Sequence, residues 1–307
     1  MTRGILVTGA HRSGTTWVGR TLATATGVVY VHEPFNVSSP PTVGVFPLRM
    51  PRWYMRLSGD GGPYRRAFRR TLELRFGWIA ALMASRRPAD VRQTFSEWRR
   101  WSHARRRGAR VLIKDPIALL SAEWLASNFP LDVIVLIRHP AAVAASLKRL
   151  DWWFAFGELE SQPAVMEILP ASFAEEIRDF ARNDRDIVDQ AALVWKILYY
   201  VIDGYRHRHP DWTFVRHEDL AQDPERGFRE LFDRVSLEFT DDVRQRIEQG
   251  SADENPRDAA PGRILHLERA SRALVSSWKD LLNPEEIDRV RGIVEPLSRG
   301  FYGDDEW

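Results

Sequence analysis

The sequence predicts an α/β protein with three layers, in which a central parallel sheet of about five strands is flanked by helices. Three observations support this fold class. Short apolar runs rich in β-branched residues recur along the 307-residue chain, helix-like segments follow three of them directly, and the first run enters a turn with glycines. These features are typical of buried parallel strands joined by right-handed crossovers.

The residue pattern assigns the elements in order. The predicted strands are Ile5–Thr8, Val28–Val31, Val111–Ile113, Val133–Ile137 and Thr213–Val215. The predicted helices are Gly14–Thr24, Ile117–Asn128, Pro140–Leu150, a mainly helical stretch Ser172–His207, and Pro284–Leu297 with Asn283 as its N-cap. The simplest division is one domain, 1–307, with a basic, mainly helical insert at 39–108 that we expect to cap the substrate side.

Composition and charge exclude several classes of protein. With 44% hydrophobic and 28% charged residues, the chain is neither disordered nor fibrous. The lack of cysteine excludes a disulfide scaffold, a thiol nucleophile and Cys-ligated metals. No apolar run approaches the roughly 18 residues of a membrane span, and no secretory signal is recognisable, so we expect a soluble, cytoplasmic protein. The net charge of +2 conceals a basic segment, Arg49–Arg110, with 17 arginines and four acids.

The first strand runs into a turn suited to an oxyanion. Gly9 and Gly14 stand five residues apart and hydroxyl residues follow them. Backbone N–H groups in such a turn curl around a phosphate, and the helix N-terminus adds partial positive charge. The spacing is that of a P-loop, but Thr15 and Thr16 stand where nucleotide hydrolases carry Lys and then Ser or Thr, and the cation is Arg12. The expected architecture is therefore P-loop-like.

The fourth predicted strand ends in a cation and not in a magnesium ligand. Arg138 follows Ile137 where an ATP–Mg enzyme of this type carries an acid. Two arginines and no metal carboxylate predict a metal-independent site for a nucleoside with phosphates at both ends.

These two elements resemble the sulfotransferases that use 3′-phosphoadenosine 5′-phosphosulfate (PAPS), in particular their bacterial and carbohydrate-type branch. Arg12–Trp17 is similar to the family's 5′-phosphosulfate loop: Lys or Arg, Ser, Gly, two Thr or Ser, and often Trp. Arg138, Pro140 and Ser146 reproduce the spacing of its 3′-phosphate element. A weaker likeness covers Val215–Leu220.

The resemblance implies a donor site whose loop holds the 5′-phosphosulfate, while Arg138 and Ser146 hold the 3′-phosphate and Trp17 stacks on adenine. His217 stands where the family commonly has Tyr, and Lys279 belongs to a Trp–basic pair that reaches a nucleotide phosphate. The residues assigned to PAPS are Arg12, Ser13, Gly14, Thr15, Thr16, Trp17, Arg138, Ser146, His217 and Lys279.

In-line transfer of a sulfuryl group needs a cation beside the leaving phosphate and a base for the acceptor hydroxyl. Arg12 is the expected cation, because its guanidinium stays protonated. Glu33 is the expected base: a Glu-Pro pair after the second strand resembles the carbohydrate-modifying branch. His32, with a suitable unperturbed pKa, is its rival.

Two further groups follow predicted strands or helices near this edge. Lys114 either contacts the sulfonate or forms a buried salt bridge with Asp115 that orients the loop, and we favour the structural role. Trp152, Trp153 and Phe154 either line an acceptor pocket or pack in the core.

The insert contains apolar residues at the spacing of one helix, with Arg65, Arg66, Arg69 and Arg70 between them. These apolar residues are Tyr64, Phe68, Leu72, Phe76, Ile79 and Met83. The insert is interpreted as a lid that attracts an anionic or lipid-linked glycan, as a contact to the inner face of an anionic membrane, or as a cap paired with the acidic remainder. No nucleic-acid-binding module is recognisable, so no specific nucleic acid is expected.

Three functions remain as hypotheses. The first is PAPS-dependent transfer to a hydroxyl of a carbohydrate, glycolipid or small metabolite. The second is a P-loop kinase or nucleotide hydrolase, against which the missing lysine argues. The third is a non-enzymatic module that binds anionic surfaces through the insert.

Overall fold

The computed structural model describes residues 3–251 and 273–307. Five strands form one sheet in the order β2-β3-β1-β4-β5, and neighbouring strands are parallel throughout. The strands are β1 (Gly4–Gly9), β2 (Val28–His32), β3 (Arg110–Lys114), β4 (Leu131–Ile137) and β5 (Thr213–Arg216). All five predicted strands are present, with bounds that differ by one or two residues.

Helices cover both faces of the sheet. In the described part of the chain they are α1 (Thr15–Leu22), α2 (Gly62–Leu72), α3 (Trp78–Ala84), α4 (Pro88–Arg106), α5 (Ala122–Asn128), α6 (Pro140–Arg149), α7 (Gly157–Glu160), α8 (Pro163–Met166), α9 (Ala171–Arg182), α10 (Ile187–Arg208), α11 (His217–Gln222), α12 (Pro224–Arg234), α13 (Asp241–Ser251), α14 (Ala273–Ser276), α15 (Trp278–Leu281) and α16 (Pro284–Val294). Short 3-10 turns cover Ile117–Ser121, Leu297–Gly300 and Asp304–Glu306.

The alternation of side chains along the central strands creates two cores. In β1, Leu6 packs into a large core on one face, while Ile5 and Val7 pack into a smaller core on the other. Successive residues of a strand point to opposite faces, so a strand covered on both sides is apolar at every position. The predicted three-layer architecture is confirmed.

Several predicted helices differ in detail. The stretch Ser172–His207 contains two helices, because α9 ends at Arg182 and Asp186 caps α10 by accepting a hydrogen bond from the backbone of Val188 at 2.9 Å. The segment Ile117–Asn128 begins as a 3-10 turn. Asn283 is confirmed as the cap of α16, where its side chain accepts from Glu286 N.

The single helix expected over Tyr64 to Met83 is wrong. Leu72 ends α2, Leu74 adopts φ +53°, and α3 begins only at Trp78. A non-glycine residue in the left-handed region stops helix propagation. As a result Phe68 is buried against the sheet layer, whereas Met83 faces water.

Strand order decides where the site forms. All five strands are parallel, so their carboxyl ends share one edge of the sheet, along which the loops follow in the strand order β2-β3-β1-β4-β5. Among the described residues, no helix is both long enough and apolar enough to cross a membrane.

Candidate active site

The loop between β1 and α1 is a compact turn built on unusual backbone angles. Gly9, Arg12 and Gly14 have φ values of +145°, +66° and +95°. The buried hydroxyl of Ser13 donates to the carbonyl oxygen of Ala10 at 2.6 Å, and the Ser13 N–H donates to the same oxygen at 3.2 Å. Ser13 therefore shapes the loop in this structure; its predicted contact to a ligand stays a prediction.

The loop meets the end of β4 at Arg12, Arg138 and Ser146, and we call these three residues the cationic cradle. Arg12 Nε donates to Ser146 Oγ at 2.9 Å, and Arg138 Nη1 donates to the carbonyl oxygen of Arg12 at 2.6 Å. Arg138 Nε is buried and has no hydrogen-bond partner among residues 3–251 and 273–307. Burial lowers the pKa of Arg138, although the carboxylate of Glu218 opposes the effect. The structure thus brings together residues predicted from two distant motifs.

Helix α10 fixes the position of Arg138. Its backbone N–H donates to Tyr199 Oη at 2.5 Å, and its carbonyl oxygen accepts from Tyr199 Oη at 2.8 Å and from Trp195 Nε1 at 2.9 Å. Trp195 and Tyr199 stack at 3.8 Å. Neither residue is among those expected from the sequence, although their spacing of four on a buried helix was a usable signal.

His217, Trp17 and the two threonines flank the loop. A Cβ atom on Gly14 would lie 2.6 Å from His217 Cδ2, so the imidazole rests directly on the loop. The rings of Trp17 and His217 are 5.9 Å apart. Thr15 is buried at the start of α1, and Thr16 is half-buried. These residues adjoin the loop, and their predicted contacts to the donor stay predictions.

Lys279 is exposed and turned toward the end of the described chain. Its ammonium donates to the carbonyl oxygen of Trp307 at 3.0 Å and lies 5.0 Å from the centre of the Trp278 ring. Trp278 and Trp307 enclose His139, with ring-centroid distances of 5.0 and 4.7 Å. Burial lowers the pKa of His139 to about 3. The predicted contact of Lys279 to a nucleotide phosphate stays a prediction.

Glu33, which follows β2, forms an ion pair with Lys114, the last residue of β3. The Lys114 ammonium donates to Glu33 Oε1, and Asn36 Nδ2 donates to Glu33 Oε2 at 2.6 Å. Burial favours a raised pKa for Glu33, but the charge and hydrogen bond of Lys114 outweigh it and leave the pKa below its usual range. Burial lowers the pKa of Lys114. His32 Nε2 lies 3.8 Å from Glu33 Oε2.

The predicted salt bridge between Lys114 and Asp115 is wrong, because Lys114 pairs with Glu33. Asp115 instead accepts backbone hydrogen bonds from Phe35 (2.6 Å), Ile117 (3.0 Å) and Ala118 (3.2 Å). Adjacent side chains of a strand point to opposite faces, which separates the two groups. Burial raises the pKa of Asp115 to about 7.

An aromatic cavity of about 120 Å³ opens beside the loop between β1 and α1. Its lining residues are His11, Trp53, Tyr54, Ile117, Trp152, Trp153, Phe154, Ala155 and Glu158. The tryptophan pair predicted for an acceptor pocket therefore borders a cavity, and the insert contributes Trp53 and Tyr54. Flat apolar walls of this kind bind the faces of sugars and other ring compounds.

His11 is a further site residue that our sequence analysis did not identify. Its backbone N–H donates to Tyr54 Oη at 3.3 Å, and the same hydroxyl bonds His11 Nδ1. Tyr54 Oη therefore engages Nδ1, and the imidazole tautomer decides which of these two atoms donates. Burial, with a contribution from Arg12, lowers the pKa of His11 to about 3, so the ring is neutral. Its place inside the loop motif, beside Arg12, was the available signal.

Comparison with known proteins identifies the family. The model of the sulfotransferase family matches residues 4–241, more than three quarters of the chain. The chain belongs to the sulfotransferase family. It is thus a transferase of the EC 2.8.2 type, and the cradle lies within the matched region. No curated protein matches the sequence.

Solved structures of other sulfotransferases are similar to this family member. A sulfotransferase domain from the curacin biosynthetic pathway is 16% identical, with 95% of this chain and 97% of that chain covered and a TM-score of 0.51. A sulfotransferase domain from the olefin synthase of Synechococcus PCC 7002 is 17% identical, with 94% of this chain and 93% of that chain covered and a TM-score of 0.47. At this identity, the curacin domain supports the fold alone.

Proposed function

We propose that the chain transfers a sulfuryl group from PAPS to a hydroxyl of a carbohydrate, glycolipid or small-metabolite acceptor. The observation that carries this proposal is the convergence of two motifs on one cradle. Arg12 Nε bonds Ser146 Oγ, and Arg138 bonds the Arg12 carbonyl, across 126 to 134 residues of sequence. A cradle with two guanidinium groups and a helix N-terminus suits a ligand that carries phosphates at both ends.

The residues present fit the bisphosphate part of this donor. The buried Arg138 Nε is a donor without a partner in the described ranges, and an anionic oxygen would satisfy it. When bound, PAPS supplies the sulfuryl group, and adenosine 3′,5′-bisphosphate is its product.

Arg12, Glu33 and His11 would then have separate roles in the transfer. Arg12 holds a permanent positive charge beside the loop, where negative charge accumulates on the leaving phosphate. Glu33 is ionised near neutral pH and accepts the acceptor's proton, with Lys114 holding the carboxylate in place. His11 lines the cavity with a neutral imidazole, which would form a hydrogen bond to a bound acceptor.

Calorimetric titration with adenosine 3′,5′-bisphosphate in EDTA tests the donor assignment. We expect binding without metal, weakened about 10- to 100-fold in Arg138→Ala and about tenfold in Ser146→Ala, because a hydrogen bond to a charged group contributes about 1.5–3 kcal/mol. Ser172→Ala, an exposed serine on α9, is the matched control and should bind like the wild type. Circular dichroism verifies that each variant is folded.

ATP with Mg²⁺ is the competing ligand. If ATP–Mg binds and the bisphosphate does not, the proposal fails and a kinase-like function replaces it. Equal binding of the bisphosphate by wild type and both cradle variants would remove Arg138 and Ser146 from the donor site.

A further inference from the structure

Two helices of the insert form a hairpin with an unusually apolar outer face. Helices α3 and α4 are joined through a short connection, and Ser85 Oγ lies 3.3 Å from Thr94 Oγ1 across it. The exposed large apolar side chains of α3 and the first half of α4 define what we call the hairpin surface. They are 42% to 83% exposed and comprise Trp78, Ile79, Leu82, Met83, Val91 and Phe95.

These side chains are arranged in stripes. On α3 the pairs 78/82 and 79/83 are four residues apart, and on α4 Val91 and Phe95 have the same spacing. Residues at this spacing share one side of a helix. Contiguous apolar patches are uncommon on soluble monomers and mark sites that contact another phase or molecule.

Arginines surround the apolar stripes. Exposed Arg86, Arg87, Arg92 and Arg99 belong to the connection and to α4. Helix α4 carries two acids. Asp90 Oδ2 accepts from the backbone of Arg86 and Arg87 at 2.9 Å each, and Glu97 accepts from the side chains of Thr42 and Gln93 at 3.0 Å each. The rim of the hairpin surface is therefore strongly positive.

A cavity of about 570 Å³ lies at the base of the same hairpin. Arg75, Arg105, Arg106 and Ser102 contribute polar groups, and Trp78 and Trp98 form apolar walls. Phe95 packs on Trp98 at 5.4 Å, so the cavity connects the stripes of both helices. Arg75 Nε pairs with Glu73 Oε2 at 2.6 Å, which offsets one of the three positive charges. Guanidinium groups with a hydroxyl suit a phosphate ester, and the adjoining tryptophans suit the interface of a bilayer.

We propose that the hairpin surface docks on an anionic lipid bilayer, with its apolar side chains in the interface and a lipid phosphate in the arginine cavity. A second copy of the chain fits less well, because it would bring another segment of charge +13 against the first. A nucleic acid would leave Ile79, Leu82 and Met83 without apolar partners. A basic amphipathic helical surface is the usual form of an interfacial anchor.

Vesicle sedimentation tests this proposal on the full chain, independently of any transferase activity. We expect binding to vesicles of phosphatidylcholine and phosphatidylglycerol, and little binding to phosphatidylcholine alone. Arg75→Gln, Arg105→Gln and Arg106→Gln together should weaken binding about a hundredfold, at about fivefold for each charge near the surface. Ile79→Ser with Met83→Ser should weaken it at least tenfold at unchanged charge. These five side chains are exposed, so the variants should fold.

The matched control removes three exposed arginines elsewhere, with Arg178→Gln on α9, Arg234→Gln on α12 and Arg246→Gln on α13. It should retain binding within about threefold. Loss of binding equal to that of the cavity variant would show attraction by net charge alone and overturn the proposal. Failure to bind anionic vesicles, or a dimer in analytical ultracentrifugation that Ile79→Ser with Met83→Ser dissolves, would also overturn it.

Discussion

Replacing Glu33 by Gln should destabilise the fold, and a second replacement at Lys114 should restore most of the stability. The Lys114 side chain is 0% exposed and that of Glu33 is 14% exposed. Glu33→Gln leaves a buried ammonium without its carboxylate, which costs about 3–5 kcal/mol. Lys114→Met leaves a carboxylate that still reaches water and Asn36, so we expect a smaller cost of about 2 kcal/mol.

The free energy of unfolding of the double variant Glu33→Gln, Lys114→Met should lie within about 1 kcal/mol of the wild-type value, since replacing both members of a buried pair is often neutral. Urea unfolding of the four proteins gives a coupling free energy, expected at about 3 kcal/mol or more. Glu176→Gln, which breaks the more exposed pair with Lys196, is the control and should cost under about 1 kcal/mol.

The same double variant separates folding from catalysis, because it is folded but has no carboxylate at position 33. Release of adenosine 3′,5′-bisphosphate from PAPS, measured with a panel of hydroxyl acceptors, should fall about 10²–10⁴-fold if Glu33 is the base. A coupling below about 0.5 kcal/mol would refute the ion-pair argument. Turnover within tenfold of the wild type would refute Glu33 as the base.

Three more changes probe the loop and its surroundings. His11→Phe removes the ring nitrogens of a residue that lines the cavity and should lower kcat about 10- to 100-fold with unchanged bisphosphate affinity, whereas Tyr54→Phe should have the smaller effect. A comparable loss of bisphosphate affinity would assign His11 to the donor site instead. Gly14→Ala places a Cβ 2.6 Å from His217 in a residue with φ +95°, and it should lower the free energy of unfolding in urea by about 2 kcal/mol or more. An unchanged free energy of unfolding would contradict the close contact. The pKa of Asp115 is raised to about 7 in the fold, so the native state holds more protons than the unfolded state between pH 4 and 7. The free energy of unfolding should therefore fall as pH rises through that window. Asp115→Asn should flatten this pH dependence, and an unchanged slope would assign it to other groups.

Local pattern was sufficient for the elements of the fold and for the two motifs. The strand-to-turn-to-helix run through Gly9 and Gly14 and the strand end at Arg138 follow from short-range spacing of apolar, glycine and cationic residues. Local pattern failed between Leu72 and Trp78, where it predicted one continuous helix. Leu74 adopts a left-handed backbone conformation after the end of α2, and the helical spacing of apolar residues continues into α3 only by chance.

The sequence by itself therefore determined the three-layer α/β fold, the family and the place of the loop between β1 and α1, because backbone geometry and burial impose these patterns over a few residues. The partners of individual side chains were decided only by the tertiary structure. Arg12 meets Ser146, and Lys114 meets Glu33 and not its neighbour Asp115, because the strand order β2-β3-β1-β4-β5 places distant loops at one edge and alternation turns adjacent side chains apart. Such contacts join residues separated by up to 134 positions, and no spacing within the sequence specifies them.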